Sequence, residues 1–570
     1  MLPHLEIMQI QLIGLNARYT HSCLALFYVR NELANHYPEA EVEIQQHTIN
    51  DSYYQLLLNI SSDGTDYYFF STAIWNSDLA VRLIEDILSI HADAVCVVGG
   101  PQAAVVANSI ESRRCAAVLG EIEQIDPGFF QDLRRRKLKS KYVSREKIVG
   151  FSMPYLQKDF DEQLQNRHIY YETSRGCPFS CSYCLSASQK GVFHKNIETV
   201  KSELEKILST NPKELRFVDR TFNDNPSRCL EIWQILLNHE CETSFHFEMS
   251  PDRFTEEMFV LLEKVPVGRF EFEIGVQSTN RETLQAIRRP VDTKLACQNI
   301  SRLAALKTIH LHVDLILGLP HENRDSFLAS FRHVFEMQPH YIQMGLLKIL
   351  PDTPICHTAL EYKYTFSKAA PYPVFANSWL NHEVMRDLFW FSECVERFLN
   401  NRYFVSFWQY SRSVGLDIVA LFLDLQDRCS RTGFFKRSPT QELLNDYIVG
   451  FAAGRTDEIL IKGLLRYDWL RCGHKFLPAT LAVPEKDSPR MIKKRLFQEL
   501  SADSLSPFSE REKNYFFRKG FFLEFSGDVL HEVGYSLEEG MHHYLCFLPE
   551  RDTSLNRFCR VECFSITHNC

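Results

Sequence analysis

Apolar and polar positions alternate between two periods in the first part of the chain. Continuous apolar runs at Ile7–Leu15, Val42–Ile49, Tyr67–Ile74, Ala94–Val98 and Ala116–Leu119 predict buried strands. Between them apolar residues recur three or four positions apart, at Leu24–His36 and around Tyr54–Ile60. Asp78 reads as the cap of another helix, with Leu79, Leu83, Ile87 and Ile90 on one face. Strands alternating with helices predict an open, mostly parallel, doubly wound Rossmann-like sheet, whose ligands sit outside the carboxyl ends of the strands. Those ends read Gly14-Leu15-Asn16, Ser71-Thr72, Gly99-Gly100-Pro101 and Gly120-Glu121. Glycine there lets a bulky ligand approach the backbone, and it equally makes a plain tight turn.

The pattern restarts at His168. Strand-like runs at His168–Thr173, Glu214–Asp219, Ser244–Met249, Phe270–Val276, His310–Leu317 and Tyr341–Leu350 are separated by helical stretches. Six βα units predict a partial parallel barrel, short of the usual eight. Beyond residue 360 the periodicity is mostly helical, at Leu388–Leu399, Leu416–Leu425 and Gln441–Tyr447, with short strands at Phe521–Phe525 and Tyr544–Leu548. The reading is an α/β chain in four parts. An α/β domain (1–130) is followed by a basic linker (131–165), a partial barrel (166–360) and a mostly helical C-terminal domain (361–570) that caps it.

Composition narrows the function classes. A chain of 570 residues, 45% hydrophobic and 24% charged, is globular rather than disordered. No run of 18 apolar residues occurs, and the nearest, Val414 to Leu425, is broken by Asp417 and Asp424, so no membrane partner is expected. No basic stretch leads into an apolar one at the start, which points to a cytoplasmic location. A net charge of −9 does not suit a surface that coats nucleic acid. The run from Arg134 to Lys147 could still form a local basic patch, although a solvated linker is the commoner use. Seventeen cysteines, an odd number, read as thiols or metal ligands.

Directly after the first barrel strand comes Thr173-Ser174-Arg175-Gly176-Cys177-Pro178-Phe179-Ser180-Cys181-Ser182-Tyr183-Cys184. Three cysteines at CxxxCxxC spacing share one loop at the end of the barrel where active sites lie. Thiolates suit an iron–sulfur cluster or zinc. Three ligands would leave one iron of a four-iron cluster open, whereas structural zinc takes a fourth, which His194 could supply.

From Tyr170 to about Asp352 the chain resembles the radical S-adenosylmethionine (SAM) superfamily. The resemblance implies that Cys177, Cys181 and Cys184 ligate a 4Fe-4S cluster whose open iron chelates the amino and carboxylate groups of SAM. An electron from a reductase or flavodoxin-type donor would then cleave SAM to a 5′-deoxyadenosyl radical. Tyr183 would lie near the adenine. Val218-Asp219-Arg220-Thr221-Phe222 stands where the superfamily often has Gly-Gly-Glu, leaving Asp219 as a candidate for the SAM ammonium without the glycines. The stretch Glu273-Ile274-Gly275-Val276-Gln277-Ser278 resembles the ribose and methionine contact, with Glu273, Gln277 and Ser278 as its polar members. Arg288 is either the partner of the SAM carboxylate or a surface helix residue. Asp314 needs a partner on a buried strand, Gly318-Leu319-Pro320 resembles the adenine loop, and Leu350 marks a further backbone contact.

An open α/β domain in front of such a barrel resembles the cobalamin-binding class of that superfamily. Gly99-Gly100-Pro101 and Gly120-Glu121-Ile122-Glu123 carry the likeness, with departures at Gln102 and Ile122; Gly14 through Ser22, including Asn16, and Trp75-Asn76 add to it. No Asp-x-His-x-x-Gly occurs, so His21 and His47 read as ordinary residues and the corrin would sit over Ser71 to Trp75. Radical SAM methylthiotransferases would need three front-domain cysteines at strand ends, which Cys23, Cys96 and Cys115 do not provide. The last third resembles the accessory domain of an uncharacterised group of cobalamin-type radical SAM proteins. The implied function is methylation, or cyclisation, of an unactivated carbon of an unknown small-molecule or peptide substrate. The alternatives are a radical SAM enzyme with a vestigial front domain, and a non-catalytic zinc protein binding RNA through the basic run. Cys559, Cys563 and Cys570, with His568, could hold a metal.

Overall fold

A computed structural model describes residues 8–61, 64–145, 150–188, 191–484, 488–499, 510–535, 541–548 and 559–567. The front sheet contains β1 (Gln9–Asn16), β2 (Glu41–Thr48), β3 (Tyr67–Ser71), β4 (Val95–Gly99), β5 (Cys115–Leu119) and β6 (Lys141–Val143). All pairings are parallel, in the order β2-β1-β3-β4-β5-β6. Its strands are apolar on both sides because both sides are covered. Ile13, Tyr68, Phe70 and Val98 pack beneath helices 53–60 and 77–90. Ile10, Leu12, Phe69 and Val97 face a core continuous with that of the barrel. The winding reverses between β1 and β3, which opens a crevice outside Asn16 and Ser71.

Two details differ from the sequence reading. β6 comes from the basic run, so the front unit extends past residue 130, and Arg134 and Arg136 pair with Glu39 and Asp66. Lys147 lies outside the described residues. Helix 77–90 has Asn76 as its cap, Asp78 in its first turn, and Ala80, Leu83, Ile84, Ile87 and Leu88 buried, with Ile90 exposed.

The second sheet is formed by β7 (Ile169–Tyr171), then β10 (Glu214–Phe217), β11 (Ser244–Met249), β12 (Phe270–Gln277), β13 (His310–Leu317) and β14 (Tyr341–Leu346) in sequential parallel order. A hairpin, β8 (Ser174–Cys177) with β9 (Gly191–His194), is inserted after β7. In β11, β12 and β13 aromatic or aliphatic residues alternate with ionisable ones. The apolar set, including Phe247, Phe270 and Phe272, packs on Trp233 of the covering helix 226–238. The ionisable set therefore lies on the inner, concave face. The last part is a helical layer (helices 382–395, 405–413, 418–432, 441–452 and 458–471) beside an antiparallel sheet of β17 (Phe521–Glu524), β18 (Met541–Leu548) and β19 (Arg560–Thr567). A two-stranded ribbon, β15 (Thr365–Phe366) and β16 (Val374–Ala376), precedes it.

The carboxyl ends of the front sheet face the barrel at three points. After β1, the Ser22 hydroxyl donates to the His168 carbonyl at 2.9 Å. After β4, the Tyr372 hydroxyl donates to Gln102 at 2.7 Å. After β5, Glu123 holds Arg175 at 2.9 Å. Among the described residues no helix is long and apolar enough to cross a membrane.

Candidate functional site

The cysteine loop is fixed at both ends by backbone chemistry. Gly176 has φ +97°, and a Cβ there would lie 2.1 Å from the Gly191 carbonyl oxygen, so only glycine lets β8 and β9 close. The Asp219 carboxylate, fully buried, accepts from the Thr173 amide at 2.9 Å and from the Thr173 and Ser174 hydroxyls at 2.6 Å each. Its acceptor capacity is engaged in holding the loop, and it does not line the cavity described next. Downstream, the Ser182 amide donates to the Ile287 carbonyl at 2.9 Å, and the Ile355 amide donates to the Ser182 carbonyl at 2.8 Å.

Cys177, Cys181 and Cys184 line one cavity with Phe179, Tyr183, Arg220, Glu248, Glu273, Gln277, Arg289 and Asp314. Arg289 is the cation beside the cysteines. Its Nη1 lies 3.6 Å from Cys181 Sγ, its Nη2 donates to the Gly275 carbonyl at 2.5 Å, and its Nε is buried without a partner. Arg288 is exposed, with φ +56°, and does not reach the cavity. Gln277 enters it from a bulge in β12 with φ +70°. His246 donates to Glu273 at 3.2 Å and keeps that carboxyl below the usual range. His312 stands 3.1 Å from Asp314. Glu248 has no such partner. Burial, opposed by Arg220 and reinforced by Glu273 and Asp314, pushes it up to about 7.

Ser278 is buried outside the cavity and donates to Glu322 at 2.5 Å. The Gly318 carbonyl accepts from the Tyr364 hydroxyl and the Asn377 amide, both at 3.0 Å, and the Leu350 carbonyl accepts from the Thr353 hydroxyl at 2.7 Å. These positions serve the folding of the loops around the cavity. Burial raises Glu322 to about 8, only partly offset by the Ser278 and Ser330 hydroxyls. The raised acid favours folding fully below its usual value of 4.5 and loses that contribution as pH rises through 8. Glu322→Gln should flatten this decline, so thermal melts from pH 5 to 9 should converge on wild type at the acid end and exceed it at the alkaline end.

The thiol triad suits a cluster better than a single ion. One zinc ion draws its ligands to about 2.3 Å from a common point. Among the described residues no three His, Cys, Asp or Glu side chains converge in that way. His194 turns its Nε2 to Asp224 at 3.2 Å instead. A cubane spreads three thiolates apart and carries negative charge, which the Arg289 guanidinium beside Cys181 complements. Cys559 is buried and Cys563 lies in β19, while His568 and Cys570 fall outside the described residues.

At the front crevice the sequence candidates divide. Gly99 has open space where a Cβ would stand, and Trp75 donates its Nε1 to the Leu15 carbonyl at 3.3 Å with 55% of its surface exposed. Ser71 is half-buried at the end of β3, and Pro101 is exposed. Gly100 has φ +92° and abuts the Thr72 carbonyl; Gly120 has φ +89° and abuts Ser144. Gly14 makes room for Cys23 and Leu26 of its own domain, and Asn16 donates to Gln46 at 3.3 Å. Glu121 lies 3.7 Å from Arg175, and Gln102 is turned to Tyr372. His21 meets the Tyr170 hydroxyl at 2.5 Å and is committed to the domain contact. Cys96 and Cys115 are mid-sheet register partners, and burial pushes both thiols up.

Sequence reasoning missed Arg289, Glu248 and a whole inner face. Glu214 contacts His168 at 3.0 Å and Arg216 at 2.5 Å, and Glu271 lies 3.5 Å from His310. The signal was present as strict alternation, Phe-Glu-Phe-Glu in β12 and His-Leu-His-Val-Asp in β13.

Comparison with known proteins agrees with this geometry. Residues 171–334 match the radical SAM superfamily, and residues 360–543 match a family described as a protein of unknown function, DUF4080. An uncharacterized methyltransferase of Pyrococcus horikoshii, PH0819, is 25% identical over 193 residues, 33% of this chain and 41% of that protein. The cobalamin-dependent radical SAM methyltransferase TokK of Streptomyces tokunonensis is 28% identical over 230 residues, 37% of this chain and 33% of its own. The chain thus spans well under half the length of these curated relatives. The fold matches OxsB, a cobalamin-dependent SAM radical enzyme solved with aqua-cobalamin, with a TM-score of 0.57 at 15% identity over 87% of this chain and 84% of that one. It also matches the radical SAM methyltransferase TsrM from Kitasatospora setae, solved with cobalamin and a [4Fe-4S] cluster, with a TM-score of 0.51 at 16% identity over 64% and 81%.

Proposed function

We propose that this chain, with its radical SAM domain at residues 171–334, is an enzyme that cleaves SAM at a 4Fe-4S cluster and, with cobalamin in the front crevice, methylates an unactivated carbon of its substrate. The observation that carries the reading is the triad of Cys177, Cys181 and Cys184 around one cavity that also holds Arg220, Arg289 and unsatisfied carboxylate capacity. The bound cluster and cobalamin supply electron transfer and methyl transfer, chemistry that side chains lack.

The chain's residues bind and orient. The three thiolates would hold the cluster, with the fourth iron left to SAM. Arg289 would meet the SAM carboxylate through its free Nε–H, the role the sequence reading gave to Arg288. Glu248 would accept from the ammonium in place of Asp219, because a cation beside it restores the ionised form that burial disfavours. Gln277 would reach the ribose, and Tyr183 would lie against the adenine. Asp219, Gly176 and Ser182 set the loop's position. Trp75, Ser71 and the backbone at Gly99 would underlie the corrin. An electron donor, of reductase or flavodoxin type, completes the system.

The test is metal content. The protein is purified under nitrogen, reconstituted with iron, sulfide and hydroxocobalamin, and desalted. About four iron and one cobalt per chain is the expected result. Iron without cobalt would remove the front-domain half of the proposal. Zinc without iron would overturn it entirely.

A further inference from the structure

A parallel barrel is ordinarily filled by branched apolar side chains. Here the inner face of the central strands is largely ionisable. It carries Glu214, Glu271, Glu273 and Asp314, each beside an imidazole. Glu271 and Glu273 keep 34% and 33% of their side-chain surface accessible although both point inward, so the interior is a chamber open to water. Glu273 and Asp314 also line the cysteine cavity, which makes the two spaces continuous. On one side the front domain closes over the chamber, with His21 against Tyr170. On the other, Gln343 of β14, in register with Asp314, is exposed.

We propose that this chamber is the substrate site, and that the substrate is a small molecule carrying an amine or guanidine group. The inference rests on the radical SAM reading above. The argument is charge. Glu214, Glu271 and Glu273 share the chamber with one guanidinium, Arg216, while Asp314 is paired with His312, and Arg220 and Arg289 stand beside Glu248 where the chamber meets the cysteine cavity. Glu214 is held at about 2 despite burial, by His168 and Arg216, and Glu271 stays below its usual range by the contact with His310. Both are ionised at neutral pH, as is Glu273. Each imidazole stands beside one of these carboxylates, with His168 3.0 Å from Glu214 and His246 3.2 Å from Glu273. A cationic ligand meets this field favourably, while a carboxylate or phosphate entering it meets repulsion.

The experiment is binding, which does not depend on turnover. The cluster-loaded full-length protein is titrated calorimetrically with 1,4-diaminobutane, arginine, glucose and citrate at low and high salt. Saturable binding by the two cations, weakened by salt and reduced about tenfold in Glu273→Gln (one charge-assisted contact, about 1.4 kcal/mol), is the expected result. Glu271→Gln, checked by its melting curve, serves as a second variant further from the cysteines. Citrate or glucose binding as tightly as the amines would overturn the proposal, as would amine binding unchanged in both variants or absent altogether. The two readings fail separately. Missing iron sinks the radical SAM proposal, whereas intact iron and SAM cleavage with no preference for cations sinks this one alone.

Discussion

Cys181→Ala yields a folded protein that retains no four-iron cluster and forms no 5′-deoxyadenosine from SAM under reducing conditions. Cys181 is buried, with Arg289 beside its sulfur, so its loss removes both a proposed ligand and the group the cation faces. A cluster held by three thiolates cannot keep its cube on two. Changes to residues that merely support ligands cost about 10–100-fold in metal affinity or activity, and removing a ligand costs more. Arg289→Met belongs to the milder class: iron stays bound while SAM affinity and cleavage fall together. Cleavage by Cys181→Ala at the wild-type rate would refute the assignment of the triad.

Gly176→Ala should be nearly as damaging to iron binding, for a reason of geometry. The added Cβ lies 2.1 Å from the Gly191 oxygen, and the residue must also hold φ +97°. The strain alone is worth about 1–3 kcal/mol, and the clash adds to it, so β8 and β9 separate and Cys177 leaves its place. The control is Gly454→Ala, where φ is +78° but a Cβ meets open space. That variant should lose roughly 1 kcal/mol of stability and none of its iron. Equal iron content in both alanine variants would show that the hairpin does not position the first cysteine.

The front sheet was legible because strands buried on both faces read as unbroken apolar runs, the second because its strands recur between helical stretches, and the cysteine spacing carried the chemistry. What escaped was whatever depends on direction. Arg288 and Arg289 are neighbours at a helix end, and only the positive φ of Arg288 decides which one turns inward. Asp219 was rightly seen as a carboxylate at a strand end, but its three donors come from Thr173 and Ser174, across the register of β7 and β10. Gly14 looked like a ligand approach and instead admits Leu26, a packing fact invisible in one dimension. β6 hid in a basic run because an edge strand of three residues needs only one buried side chain, Tyr142.

The backbone bond from Ile355 to Ser182 bears on the order of events during synthesis. The cysteine loop leaves the ribosome well before the segment that pins it. At 5–20 residues per second, the roughly 170 intervening residues take on the order of ten to thirty seconds. Until then the thiols are displayed on a nascent chain whose sixth barrel strand does not yet exist. On the cluster reading proposed above, the loop is held in full only once this segment has been made, and the thiols are exposed to oxidation in the interval. A producing cell starved of oxygen only after translation would recover less holoenzyme than one kept anaerobic throughout.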